Sequence, residues 1–414
     1  MKCKSEENKL KDNVAQLENC AGERPLVSVI TPVYNSQAFL AECIESLLSQ
    51  TMKSVEFIFV DDGSTDDSVN ILELYQKSDP RIVLIQQEHG GAGKARNLGI
   101  KHAKGQYVTF LDSDDLFVPE ALEKMYGYAE KYGTDIILSA GNSFEVDKEK
   151  SWINRSYLNF DYLPEFEPFS SSTWSKYIFQ VSGGQTCGRF IKKSFLEENH
   201  IEFADIPRTE DAPFAIFSLA RAKRIACIKE PLVLNRRLLG SGSLEDSKDK
   251  QPTTFFDAHK IIWERFEKEG LLDSLHQSLI NYFISVYYYN LCTMKTLEGF
   301  SAAYDCIKNK EIPYFGISID NPDYYYNSNY YVYLKNIVES DSCLDFSFRV
   351  LKEQEELKKS VVHARQEIKV LKNKNKELRD EIKGIRASAS YKIGRVMTWL
   401  PRKVRSLLKK DKNH

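Results

Sequence analysis

From Leu26 onward the chain alternates short apolar runs with amphipathic stretches. VSVIT (27–31), VEFIFV (55–60), IVLIQ (82–86), YVTFL (107–111) and DIILSA (135–140) have the length and β-branched content of buried strands. Between the first two, FLAECIESLL places Phe39, Leu40, Ile44, Leu47 and Leu48 largely on one helical face. Asp66 stands where it could cap a second helix running through Leu74. Strand and helix in this rhythm predict βαβ crossovers, hence an α/β fold whose mostly parallel sheet carries helices on both faces. Ligands in such sheets bind beyond the carboxyl ends of the strands, so the polar residues after each strand hold the chemistry.

The pattern changes further along. Residues 143–185 are aromatic- and serine-rich without a clear period. SFLEENH and APFAIFSLARA then read as helices on either side of IPRTEDAP, followed by strand-like IACI and PLVLN and by RRLLGSGS. Residues 245–252 have the composition of a linker or loop. From Thr253 to about Ser342 the pattern is helical and tyrosine-rich. These tyrosines have two readings, packing residues or the lining of an acceptor groove. Alternating steps of three and four connect Val350, Gln354, Leu357, Val361, Ala364, Ile368, Leu371, Asn375, Leu378, Ile382 and Ile385. This apolar seam, flanked by Glu, Lys, Arg and Gln, predicts a coiled coil over 346–387 and therefore a homo-oligomer. A lone exposed helix is the alternative.

The domain reading is a polar segment 1–24, an α/β domain 25–245, a tyrosine-rich helical region 246–345, the coiled coil 346–387 and a basic tail 388–414. The α/β domain divides into halves at 25–140 and 141–245. The tail carries eight Lys or Arg against one Asp, and its apolar residues can share a helical face interrupted at Pro401. Such a helix suits an anionic membrane surface; docking on the protein's own core is the competing reading.

Composition narrows the class. With 42% hydrophobic and 28% charged residues the chain is of ordinary globular type. A net charge of -2 offers no global attraction to nucleic acid, and no nucleic-acid partner is expected. Eight cysteines occur without C-x-x-C or zinc-ligand spacing, which suggests a reducing compartment. No signal-peptide pattern and no run of ~20 apolar residues is present. The expectation is a cytoplasmic protein, peripheral on the inner membrane face if the tail lies there.

Four segments sit where ligand groups belong. In TPVYN (31–35), Pro32 ends strand pairing and Tyr34 could stack on a base. In VDDGSTD (60–66), Asp62 could accept a base imide N–H, with Gly63 and Ser64 allowing a tight turn. HGGAGKARNLG (89–99) lacks the P-loop pattern, but Lys94 and Arg96 could neutralise a diphosphate. In LDSDD (111–115), Asp112 and Asp114 have the D-x-D spacing for a hard divalent cation, Mn²⁺ or Mg²⁺. Taken alone, D-x-D is as easily a turn or a helix cap.

VSVITPVYN, SLLSQT, FIFVDDGSTD, KARNLGIKHAKG and YVTFLDSDD together resemble the donor-binding half of a family 2 glycosyltransferase of GT-A fold, over residues 26–140. The resemblance implies a nucleotide pocket at Pro32, Tyr34 and Asp62, with Arg96 near the phosphates. It also implies a metal site at Asp112 and Asp114, with Asp114 the direct ligand. TEDAPF matches the acidic pair that supplies the base in such enzymes, which puts forward Asp211 and Glu210. A carboxylate at a helix start also has the simpler reading of a cap. Arg236 and Arg237 follow Asn235, where relatives often have tyrosine, and remain candidates for a phosphate or a closing loop. The usual tryptophan-lysine element is absent, and GQTCGRF stands in its place.

The implied reaction is inverting transfer of a hexose or N-acetylhexosamine from a nucleotide-sugar donor, expected to be a UDP-sugar. The acceptor would be a glycan or lipid-linked glycan in bacterial surface polysaccharide synthesis. Two other classes compete. One is a sugar nucleotidyltransferase, which would place a glycine-rich basic loop directly after the first strand, where TPVYN stands. The other is a non-catalytic coiled-coil scaffold with a degenerate GT-A domain, which would have no use for clustered carboxylates.

Overall fold

The computed structural model describes residues 24–145, 150–237 and 248–387. The polar N-terminal segment through residue 23, the GSGS stretch within 238–247 and the basic tail 388–414 lie outside the described residues. The chain divides into two compact units, one reaching Val338 and one starting at Glu339.

In the first unit the predicted alternation appears in order. β1 (Val27–Val33), α1 (Leu40–Leu48), β2 (Val55–Asp61), α2 (Ser68–Ser78), β3 (Ile82–Gln86), α3 (Ala92–His102) and β4 (Tyr107–Phe110) form a βαβαβαβ run. β5 (Leu116–Phe117), α4 (Ala121–Tyr132), β6 (Ile136–Glu145), β7 (Lys150–Asn154), β8 (Arg189–Lys192), α5 (Lys193–Glu198), α6 (Asp211–Arg221) and β9 (Ile225–Arg237) follow. Asp66 accepts the Ser68 N–H at 3.0 Å and the Gln37 N–H at 3.0 Å, so it braces the entry to α2 while Asp67 takes the cap position.

The sheet order is β3-β2-β1-β4-β8-β6-β9-β5, with β7 added to β6. β1 through β4 are parallel, as is the β6–β9 pair. The β4–β8, β6–β8, β6–β7 and β5–β9 pairs are antiparallel. The sheet is therefore mixed rather than mostly parallel. The cause is β8: after the long irregular stretch it returns between β4 and β6 and reverses the direction of pairing.

Strand alternation sets the two faces. Val27, Val29 and Val33 of β1 and Phe57 and Phe59 of β2 pack with Leu40, Ile44 and Leu47 of α1, Leu72 of α2 and Leu122 and Met125 of α4. Ile30 points the other way, toward α3, which lies so close that a side chain at Gly99 would collide with it. On that second face Phe110 meets Phe203 and Phe214 edge-on, with ring centroids at 5.3 and 5.5 Å. The core thus clamps the sheet from both sides and holds the carboxyl ends of β1, β2 and β4 at one rim.

The tyrosine-rich region as far as Val338 belongs to the same unit as the sheet and contributes α7 (Thr254–Lys268), α8 (Leu272–Thr293), α9 (Leu297–Cys306) and all but the last residue of α10 (Ser328–Glu339). Tyr287 and Tyr304 are fully buried, whereas Tyr289 and Tyr314 are exposed, so packing accounts for part of the tyrosine content. The second unit contains α11 (Cys343–Ala387), one uninterrupted helix through the heptad segment. Along it Ile368, Leu371, Leu378 and Ile382 are exposed. No helix among the described residues is long and apolar enough to cross a membrane.

Candidate active site

The site grows from chain breaks at the sheet rim. After β1, Tyr34 is 47% exposed, and its ring stacks on His89 with centroids 4.3 Å apart. Pro32 sits half-buried near the end of β1. Asn35 adopts a left-handed φ of 49° and receives the Thr65 N–H at 2.8 Å, which ties this turn to the one after β2.

Asp62 is buried at 2% exposure, and both of its carboxylate oxygens are engaged. Oδ1 accepts from Gln87 Nε2 at 2.6 Å and from the Gly90 N–H at 2.8 Å; Oδ2 accepts the Gly91 N–H at 2.8 Å and lies 2.9 Å from His89 Nδ1. Gly91, at φ 93°, is the residue from which α3 starts. Glycine is needed there because an L side chain is strained at that backbone angle. A cavity of about 420 Å³ opens beside this loop, lined by His89, Gly90 and Gly91 on one side and Pro207, Arg208 and Lys250 on the other.

One turn into α3, Arg96 reaches the centre of the site. Its guanidinium donates to Asp112 Oδ1 at 2.8 Å and to Glu210 Oε1 at 3.0 Å, and its Cζ lies 5.3 Å from the Phe203 ring centroid. Burial pulls its pKa down, but Asp112 and Glu210 outweigh burial and the net shift is upward. Two carboxylates 98 residues apart in the chain (112 and 210) are thus joined through one cation. Lys94 is held differently, 3.1 Å from exposed Asp205.

The acidic turn after β4 carries negative charge that Arg96, Arg236 and Arg237 offset only in part. Asp114 is raised from its ordinary 3.8 to about 6, by burial first and then by the charge of Asp112. Asp115 is fully buried and its carboxyl is also pushed well up, by burial first and then by Asp114 and Asp112. It accepts from Asn235 Nδ2 at 3.1 and 3.0 Å and from the Arg236 N–H at 2.8 Å. The Asn235 side chain therefore has a definite task, which a tyrosine could not perform in the same way. Arg236 donates to the Asp114 carbonyl at 2.9 Å and to Glu42 at 2.6 Å, with Phe39 and Phe144 against its guanidinium. In this arrangement it braces the acidic turn.

Asp112, Asp115 and Cys187 each bring one ligand-type atom within 4.8 Å of the others. Burial and the neighbouring aspartates push the Cys187 thiol well up, so it is neutral and a poor partner for a hard ion. The oxygen donors of this group are Asp112 and Asp115, and Asp114, expected from the sequence as the direct ligand, is not a member of it.

Asp211 opens α6, with Glu210 at the cap position. It is partly buried and is pushed up from 3.8 to about 7, first by burial and then by Glu210, with Asp112 adding to this and Arg96 opposing it. Gly93 makes the approach possible, since a Cβ there would lie 2.8 Å from Glu210 Cγ and 3.1 Å from the Ala204 carbonyl. Behind Asp211 stands Arg189, fully buried, donating to the carbonyls of Gln185 at 2.9 Å and Gly183 at 2.6 Å. Burial lowers its pKa to about 10, against the opposing charges of Tyr282 and Asp211.

The structure thus gathers Arg96, Asp112, Glu210 and Asp211 into one cluster, sets Asp114 and Arg236 beside it, and keeps Tyr34 and Asp62 on the His89 loop. His89, Asp115, Cys187 and Arg189 were not singled out as site residues in the sequence. A single histidine after a strand and a buried arginine give no periodic signal, although Asp115 completed the visible run of carboxylates.

A mixed sheet of this order, with acidic residues collected past β4 and at the start of α6, defines a GT-A-type α/β protein. Residues 28–199 match the glycosyl transferase family 2 model. The chain is 32% identical over 227 residues to glycosyltransferase GlyG of Streptococcus pneumoniae, covering 52% of this chain and 72% of that protein. It is 35% identical over 218 residues to the uncharacterized glycosyltransferase EpsJ of Bacillus subtilis, covering 51% of this chain and 61%, less than two thirds, of that one. The chain belongs to glycosyl transferase family 2. In fold it resembles residues 1–349 of Staphylococcus aureus TarS, crystallised in complex with UDP-GlcNAc, at a TM-score of 0.59 and 19% identity, covering 80% of this chain and 91% of that fragment.

Proposed function

We propose that this chain is an inverting glycosyltransferase that moves a hexose or N-acetylhexosamine from a UDP-sugar to a glycan or lipid-linked acceptor in bacterial surface polysaccharide synthesis. The observation that carries the reading is the Arg96 bridge, which holds Asp112 of the donor side and Glu210 beside Asp211 in one cluster. Family membership and the relatives support the transferase class, and the UDP-GlcNAc complex of the TarS structure supports the donor class.

On this reading Tyr34 offers its exposed face to the base. The cavity between the His89 loop and Lys250 suits phosphates, because two basic side chains, Arg208 and Lys250, line it. Asp114 and Asp112 would hold Mn²⁺ or Mg²⁺, which supplies positive charge for the leaving diphosphate. Asp211 takes the proton of the acceptor hydroxyl as its oxygen bonds to the anomeric carbon and the bond to the diphosphate breaks. A proton affinity near neutrality is what a general base requires at cellular pH. Glu210 and Arg96 keep Asp211 positioned, so the two reactants meet already aligned.

The test is a donor panel. Purified full-length protein is given Mn²⁺ and each of the UDP-, GDP- and TDP-sugars, with an acceptor glycan mixture, and nucleotide release is followed. Release from a UDP-sugar, abolished by EDTA and restored by Mn²⁺ or Mg²⁺, is the expected result. Absence of both nucleotide release and UDP binding by calorimetry would hand the lead to the scaffold reading.

A further inference from the structure

We propose that α11 pairs with α11 of a second copy of this chain as a parallel, in-register, two-stranded coiled coil. The helix is continuous for 45 residues, about 68 Å at 1.5 Å per residue. Ile368, Leu371, Leu378 and Ile382, spaced by three, seven and four, leave an apolar stripe in solvent at 51, 61, 47 and 47% exposure. A stripe of period 3.5 faces a partner helix along its whole length.

Three features on the helix choose the partner. The heptad puts Gln354, Ile368, Asn375 and Ile382 at the a positions and Val350, Leu371 and Leu378 at d. Isoleucine at a with leucine at d packs best in two strands. Charge then sets the direction. The e positions Lys358, Arg365, Lys372 and Arg379 are all basic, while the g positions include Glu353, Glu367 and Glu381. In a parallel pair each g residue faces the e residue five places later on the partner. This sets Glu353 against Lys358 and Glu367 against Lys372, with Lys374 against Arg379 the one unfavourable match among these three. An antiparallel pair would bring e against e, lysine and arginine against lysine and arginine throughout.

Register follows from Asn375. In the in-register parallel pair the two Asn375 amides meet, and each satisfies the other. A slip of one heptad sets the Asn375 amide against Ile368 or Ile382 and leaves its polar atoms unpaired, which a dry seam penalises. Gln354 acts in the same sense one end along.

The test is the mass of the full-length protein in solution, with paired charge variants. Sedimentation equilibrium across 1 to 50 µM, roughly the range that separates tight from weak pairs, should give twice the 47.7 kDa chain mass. The E353K/E367K variant places lysine against basic e residues, and the K358E/K372E variant places glutamate against glutamate. Each alone should dissociate at least tenfold more readily than wild type. Their equimolar mixture restores attraction at every altered contact and should return to the dimer mass. Asn375→Cys should cross-link quantitatively between copies under mild oxidation, since the two residues meet only in this register. A monomeric or trimeric wild type, a mixture no tighter than its components, or an N375C variant that does not cross-link would overturn the proposal. Circular dichroism shows whether each variant keeps its fold, and donor turnover per chain, which these residues do not touch, separates this result from the fate of the transferase reading.

Discussion

Replacing Asp211 by Asn isolates the cost of keeping a base ready. The wild-type carboxyl is raised from 3.8 to about 7, chiefly by burial. Between those two values the unfolded chain has lost the proton that the folded chain keeps. Stability therefore falls as pH rises through this window and levels off above about 7. At ~1.4 kcal/mol per tenfold change in proton affinity, the ionised group costs the fold on the order of 4 kcal/mol. The start of α6 returns about 0.3–1 kcal/mol to a carboxylate, so burial wins. Asparagine keeps the shape and removes the charge. Asp211→Asn should thus melt higher than wild type at pH 8, by roughly 3 kcal/mol, with the advantage nearly gone at pH 4. The same change should lower turnover by about 10²–10⁴-fold, the usual contribution of a general base. Wild-type turnover should fall as pH drops through about 7, as Asp211 takes up its proton. Thermal melts of both proteins from pH 4 to 8, beside kinetics with a saturating UDP-sugar, settle the matter. A melting difference independent of pH would refute the burial argument, and turnover within tenfold of wild type would remove Asp211 as the base.

Arg96→Gln leaves Asp112 and Glu210 without their shared cation. Because Asp112 is 42% exposed on its side chain, we expect a loss of roughly 2–3 kcal/mol by denaturant unfolding, below the ~3–5 of a fully buried pair. Gly93→Ala inserts a methyl group 2.8 Å from Glu210 Cγ; destabilisation of about 1–3 kcal/mol should accompany a fall in turnover, and unchanged kinetics would show that the placement of Glu210 is unimportant. Tyr34→Ala removes the stacking face and should raise the donor KM roughly tenfold with little change in kcat, within the range of base stacking. A fall in kcat alone would move Tyr34 from binding to chemistry.

What the sequence made legible was local. β1 through β4 are short β-branched runs, and α1 shows its buried face by spacing alone; Pro32, expected to end pairing, instead lies within β1 opposite Val60, and pairing runs on to Val33. The acidic turn after β4 was visible because three carboxylates within four residues are costly without a purpose. The missed features depend on contacts between distant parts of the chain. β8 is only RFIK, four residues with a charge at each end, and nothing in it specifies that β4 and β6 will flank it. Asp115 meets Asn235 across 120 residues, and Arg96 meets Glu210 across 114. No periodicity encodes such pairings. Asn235 could be seen as a departure from its relatives, but its reason, a buried carboxylate needing a donor, became visible only in three dimensions.

Helix α3 is fastened at its first turn and again near its middle. Asp62 grips its first turn through the Gly91 N–H, and five residues on, about 7.5 Å along the axis, Arg96 grips Asp112 and Glu210. A rigid rod pinned at two points along its first half cannot shift at one of them alone. On the proposed function, refitting the 87–91 loop to another nucleotide would therefore disturb the placement of Glu210 beside Asp211, and changes in donor preference should carry a penalty in turnover unless both contacts are re-seated. The two halves of the catalytic unit would have to change together, which narrows the paths by which this chain could acquire a new donor.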